Sequence, residues 1–120
     1  MKITGLEAIP LKPLAMRQAF STTNVLLNSL NFVLVRIETD QGIVGYGEAL
    51  PAWEVTGETA HSVAGCIALY QDPQRLYASD LLTGREIGSL EAIRAMMDAM
   101  LPAGRPFTVM GNASAKAAIE

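Results

Sequence analysis

The sequence predicts an α+β fold, a three-stranded antiparallel meander followed by a bundle of three to four helices. Three observations carry that expectation. Asn31–Thr39 alternates so that Val33, Val35 and Ile37 share one face while Phe32, Leu34, Arg36 and Glu38 share the other. Asp40-Gln41-Gly42 fits a short turn in which Gly42 supplies a positive φ, and Ile43–Ala49 returns as the partner strand. Beyond Pro51 the apolar residues recur at helical rather than strand spacing.

In chain order, Lys2–Pro10 alternates loosely as the first strand, with Pro10 and Pro13 disrupting regular pairing. The stretch from Lys12 to about Ser29, rich in Ser, Thr, Asn and Gln, reads as a long loop. Loops of that length inside a compact domain are uncommon, and are usually functional lids or disordered. On the return strand Gly45 and Gly47 share a face, which predicts something packed closely against that backbone. Thr56 is the expected N-cap of the first helix, with Glu58 in its first turn where the helix dipole favours an anion. Val63, Ile67 and Tyr70 mark its buried face, and Asp72-Pro73 its end. Arg75–Leu82 fits a short helix closed by Gly84. Ser89 caps a longer one with the stripe Leu90, Ile93, Met97, Met100 and Leu101, broken by Pro102 and Gly104. The methionines of that stripe read as core packing. Asn112 is the expected N-cap of a last helix over Ala113–Glu120. So short a helix is marginal without tertiary support, which reads either as the start of an element in a longer protein or as a frayed stub.

Composition narrows the function classes. The chain has 120 residues, 12 acidic and 9 basic, with a net charge of −3 and 50% hydrophobic residues. Its mean hydropathy is +0.26, so an intrinsically disordered chain is excluded. No apolar run approaches the ~20 residues of a membrane span. The mildly acidic balance argues against nucleic acid as the main partner. One cysteine, Cys66, allows no internal disulfide, and the opening residues do not read as a secretory leader; the expectation is a soluble cytosolic domain. With one His and one Cys, zinc clusters and Ser-His-Asp or Cys-His nucleophile systems have almost no raw material. His61, at a helix start, reads as a solvated histidine. Gly45-Tyr46-Gly47 lacks the third glycine and following helix of a dinucleotide fingerprint.

The strand-turn-strand Val33-Leu-Val-Arg-Ile-Glu-Thr-Asp-Gln-Gly-Ile-Val-Gly-Tyr-Gly-Glu-Ala49, closing on a GYGE box, resembles the N-terminal capping domain of the enolase superfamily, in its mandelate racemase/muconate lactonizing enzyme branch. Asn112–Glu120 is similar to that branch's helix leading from cap to barrel. Pro51-Ala-Trp-Glu-Val-Thr-Gly-Glu-Thr59 is most similar to the dipeptide epimerases, which place an apolar residue before Thr-Gly-Asp/Glu. The resemblance implies a cap over residues 1–111 and, in 112–120, the start of a helix leading into an absent (β/α)₈ barrel.

That resemblance also implies a chemistry. The barrel would carry the metal-binding carboxylates and catalytic lysines, and Mg²⁺ would stabilise the enediolate formed when a proton α to a carboxylate is removed. The cap would supply neither metal ligand nor general base; its two loops would cover a small carboxylate or dipeptide substrate and select its side chain. Carried over residue by residue, Val55 stands where the second loop presents an apolar residue to substrate, with Thr56 and Trp53 beside it. Trp53 has two readings, a packing anchor and a pocket wall. Arg17, Phe20, Ser21 and Thr22 are the candidates for the tip of the first loop, which is longer here than in the typical epimerase. Arg17 has the fork that suits a carboxylate, against a reading as a solvated arginine. Glu48 reads as structural or interfacial, and Lys116 as a surface helical lysine. A homo-oligomer is implied by the resemblance alone. Two further readings stay open: cycloisomerase or N-acylamino-acid racemase activity in the same branch, and a stand-alone binding or dimerisation module without chemistry.

Overall fold

A computed structural model of the chain describes residues 1–23, 25–71, 82–100 and 113–120, the side chains of 98–100 excepted. Among the described residues five strands precede three helices: β1 Ile3–Pro10, β2 Leu14–Ser21, β3 Leu26–Leu30, β4 Val33–Thr39, β5 Val44–Ala49, α1 Ala60–Leu69, α2 Leu90–Met100 and α3 Ala113–Ile119. The α+β architecture is as the alternation and helical spacing predict. β1, β4 and β5 form a three-stranded antiparallel sheet in that order. Val33 and Val35 are fully buried on its inner face, where Ile37 is half-buried. Gly42 closes the β4–β5 turn with φ +74.

β1 explains its own loose alternation. Ile3 and Leu6 are both buried although they stand three positions apart, which in a regular strand puts them on opposite faces. A bulge between Ile3 and Gly5 resolves this, because β1 there advances two residues against one of β4, from Thr39 to Glu38. Pro10 still pairs with Val33, which an edge strand tolerates.

Three expectations change. The segment read as a long loop contains a separate two-stranded hairpin, β2–β3. It escaped notice because it buries almost nothing, so its side chains show no apolar-in, polar-out alternation. The first helix starts later than expected. Thr59, not Thr56, is its N-cap, in a reciprocal box: Ser62 N–H donates to Thr59 Oγ1 at 3.1 Å and Thr59 N–H donates to Ser62 Oγ at 2.9 Å. Glu58 therefore precedes the helix rather than sitting in its first turn. Lys116 is buried at 8% exposure, not a surface lysine, because α3 packs against both β5 and α1 and leaves little of its circumference to solvent.

The remaining helical expectations divide. Val63, Ile67 and Tyr70 are buried as their spacing predicts, with Tyr70 as the C-cap. Ser89 caps α2 by accepting from Ala92 N–H at 3.2 Å, and Met97 is fully buried, yet Leu90 at the start of the stripe is exposed. The predicted stop at Asp72-Pro73, most of the Arg75–Leu82 helix, Met100's side chain, Leu101, Pro102, Gly104 and Asn112 lie outside the described residues.

Gly47 sets the fit between sheet and last helix. A β-carbon there would stand 2.7 Å from the Ala118 carbonyl carbon and closer still to its oxygen. The close approach foreseen for this strand face is thus real at Gly47, while a β-carbon on Gly45 would meet nothing within 4 Å. Small residues on β5 and alanines on α3 let helix and strand backbones meet, burying Ala49, Ala115 and Ala118.

Candidate functional site

The loop joining β5 to α1 is locked by its own hydrogen bonds. The Ala52 carbonyl accepts from Val55 N–H at 2.9 Å and Thr56 N–H at 2.8 Å, and Gly57 N–H donates to the Trp53 carbonyl at 3.1 Å. Gly57 has φ +71, the left-handed conformation that ends such a helix-like turn at little cost for glycine. The Thr56 hydroxyl pins it from within, donating to the Ala52 carbonyl at 3.1 Å and accepting from Glu58 N–H at 3.4 Å. With Thr56 half-buried, the turn leaves Trp53 at 66% and Val55 at 69% exposure. These are apolar side chains displayed on a backbone with little freedom to hide them.

The hairpin carries the other predicted residues. Arg17 and Phe20 lie on β2, and Thr22 stands in the turn just after Ser21. Thr22 N–H donates to the Val25 carbonyl at 2.9 Å while its hydroxyl accepts from Val25 N–H at 3.1 Å, so Thr22 holds the turn. Phe20 pairs opposite Leu27 and is 56% exposed. Arg17 is exposed, in the stretch between Ala15 and Phe20 where the pairing register slips.

Loop and hairpin adjoin across a cleft of about 390 Å³, walled by Leu26, Leu27 and Asn28 of β3 on one side and Leu50 and Trp53 on the other. A second cleft of about 230 Å³ lies between Trp53, Asn31, Glu58 and His61. Trp53 borders both. Among the seven predicted residues it alone lines the shared cleft; Arg17, Phe20, Ser21, Thr22, Val55 and Thr56 stand outside its lining. The β3 leucines were not among the predicted residues, because a polar-looking loop gave no reason to single them out. His61 is exposed, as expected. Glu48 is exposed on β5, opposite Leu34 of β4.

Behind the loop, Glu58 is 6% exposed, and its carboxylate accepts three hydrogen bonds from Ser114 on α3. The backbone N–H reaches its two oxygens at 3.1 and 3.2 Å, and the hydroxyl donates at 2.6 Å. Cys66 on α1 is buried close by. Burial, reinforced by the negative charge of Glu58 and opposed by Lys116, pushes its thiol up to about 11. Such a thiol is a packing group, not a nucleophile. On the outer sheet face Arg36 meets Tyr46, Glu38 and, at 3.9 Å, Glu7. The hydrogen bond to Tyr46, helped by Glu38, holds the guanidinium above its ordinary range.

Among the described residues, no three or more His, Cys, Asp or Glu side chains come together as a metal site would require. Among the described residues the donor set does not fit a Mg²⁺ ion, which the resemblance places on the barrel and not on the cap.

A sheet of three strands backed by helices, with a hairpin and a locked loop flanking a common cleft, is the architecture of the enolase-superfamily N-terminal domain. The chain belongs to the mandelate racemase/muconate lactonizing enzyme family: the model of that family's N-terminal domain matches residues 6–120. It is 33% identical over 118 residues to an L-Ala-D/L-Glu epimerase of Clostridium acetobutylicum, covering 98% of this chain and 27% of the relative. It is 31% identical to an N-succinyl-L-Arg/Lys racemase of Bacillus cereus, covering all of this chain and 28% of the relative. The substrate-liganded L-Ala-D/L-Glu epimerase of Bacillus subtilis superposes with a TM-score of 0.78 at 31% identity, over 100% of this chain and 29% of that one. A dipeptide epimerase of Enterococcus faecalis, complexed with Mg and the dipeptide L-Leu-L-Tyr, gives 0.74 at 29% identity over 99% of this chain and 29% of that one. The chain thus spans somewhat over a quarter of the length of these relatives.

Proposed function

We propose that this chain is the substrate-capping and specificity domain of a Mg²⁺-dependent isomerase that removes a proton α to a carboxylate, with dipeptides as the substrate class. The observation that carries the reading is the Trp53–Val55 turn. Two apolar side chains are held in solvent by a locked backbone, beside a hairpin that displays Phe20 and Leu26. Exposed apolar surface on rigid elements is the pattern of a binding edge. In this reading Val55 and Trp53 contact the substrate side chain. Thr56 shapes the turn that presents them, Phe20 and Thr22 form the hairpin's edge, and Arg17 receives an anionic substrate group through its guanidinium fork.

The reacting groups and the metal belong to a C-terminal barrel beyond this chain. Residues 1–111 form the cap and 112–120 begin the connection to that barrel. By itself the chain does not catalyse, since catalysis needs several such groups gathered in one water-poor site. The setting is a cytoplasmic homo-oligomer. The similarity to dipeptide epimerases supports the substrate class, and the similarity to an N-succinyl-amino-acid racemase favours N-acylated amino acids as the second reading.

The test is a deuterium-exchange screen of the full-length protein with Mg²⁺ in D₂O, against L-Ala-L-Glu, other dipeptides and N-succinyl amino acids. Exchange at the α-carbon of a dipeptide is the expected result. Exchange confined to N-succinyl amino acids would shift the assignment to the second reading, and exchange on none of them would end both. Exchange by the 120-residue chain alone would overturn the division of labour between cap and barrel.

A further inference from the structure

The structure assigns Glu58 as a positioning residue that ties the Trp53–Val55 loop to the first turn of α3, so that loop placement depends on that helix. Glu58 follows Gly57, where the locked turn ends, and precedes Thr59, where α1 is capped. Its carboxylate does not serve α1. It crosses to Ser114, 56 residues away in sequence, and takes up both the backbone N–H and the hydroxyl. Helix α3 has only seven residues, and its first-turn N–H groups have no partners within the helix. The buried carboxylate supplies one, in charge-assisted bonds that are stronger than neutral ones. Thr56 completes the link, since its hydroxyl accepts from the Glu58 N–H while gripping the Ala52 carbonyl. The path from Ala52 through Thr56 and Glu58 to Ser114 is therefore continuous hydrogen bonding, and Trp53 and Val55 are displayed on its first part.

This assignment deepens the proposed function, on which its consequence for substrate selection rests, but the coupling itself is readable without turnover. The experiment is hydrogen–deuterium exchange by mass spectrometry on the full-length protein, following the peptides that cover residues 52–57. The amides of Val55, Thr56 and Gly57 are hydrogen-bonded within the loop and report its opening. Glu58→Ala should speed their exchange by about tenfold or more, the scale of losing hydrogen bonds to a buried charged group. Glu58→Gln, which keeps one acceptor oxygen for Ser114, should restore most of the protection. Ser114→Ala, which keeps the N–H contact, should fall between.

Unchanged loop exchange in a folded Glu58→Ala protein would overturn the assignment. If that variant does not fold, the Glu58→Gln/Ser114→Ala double variant takes its place: faster loop exchange supports the coupling and unchanged exchange refutes it. In turnover assays Glu58→Ala should raise KM more than it lowers kcat and should compress the preference between dipeptides differing in one side chain. A purely global destabilisation would leave that preference intact, and would count against positioning. Absence of any dipeptide turnover in the parent strikes the proposed function, while the exchange comparison still decides the coupling.

Discussion

In the β1–β4–β5 sheet Val33 and Val35 lose all contact with solvent, whereas the β2–β3 hairpin leaves Leu14, Phe20 and Leu26 exposed. Both are antiparallel, and both are built from ordinary strand residues. The sheet is held by what it buries, with Ile67, Tyr70 and Met97 closing over it from the helices. The hairpin is held by pairing and by the Thr22 turn, and a two-stranded ribbon is marginal on those terms alone. The first region answers to the fold, and its substitutions should be read in stability. The second answers to whatever covers it, and its substitutions should be read in binding.

That contrast can be pressed with substitutions of decreasing expected effect. Gly47→Ala forces a β-carbon into the Ala118 carbonyl, which backbone on both sides leaves no easy way to relieve; it should cost about 3 kcal/mol in denaturant unfolding. Val35→Ala opens a cavity under the central strand and should cost about 2 kcal/mol by the same measurement. Thr59→Ala removes half of the capping box where the locked loop enters α1, and about 1 kcal/mol is expected. Leu26→Ser on the hairpin should change stability by no more than ~0.5 kcal/mol while weakening substrate binding in the full-length protein. A loss as large as that of Val35→Ala would erase the distinction between the two regions.

A pH dependence probes the buried side only. The Cys66 thiol is held to about 11 in the fold against its ordinary 9.0, so the folded state keeps its proton while the unfolded chain loses it. The associated stability is complete below about pH 9 and is lost as the pH rises toward 11. Cys66→Ala should remove that part of the slope in unfolding measured at pH 8 and pH 10.

What the chain revealed before folding follows the same divide. Val33, Val35, Ile37, Val63, Ile67, Tyr70 and Met97 were legible because burial imposes a period. The GYGE box and the Thr-Gly-Glu loop pointed to the family, because close backbone approach at Gly47 and a positive φ at Gly57 restrict which residues fit. The hairpin was not legible, since exposed strands carry no period. Lys116 was misread because an alanine-rich helix of two turns has no apolar stripe to say which side faces inward. Glu58 was assigned to the wrong helix: an acid just beyond a plausible cap suits the helix it precedes, and nothing local reveals a partner at Ser114.

The amino-acid sequence by itself determined the α+β class, the β4–β5 hairpin and the inward face of α1. Each rests on interactions between residues close in the chain or on a period that burial repeats. Only the tertiary structure decided that β2 and β3 pair outside the main sheet, that Trp53 stands between two clefts, and that Lys116 and Glu58 are enclosed. Those outcomes depend on which surfaces meet across long stretches of chain, where a short helix and a buried carboxylate take their partners from whatever the packing brings to them.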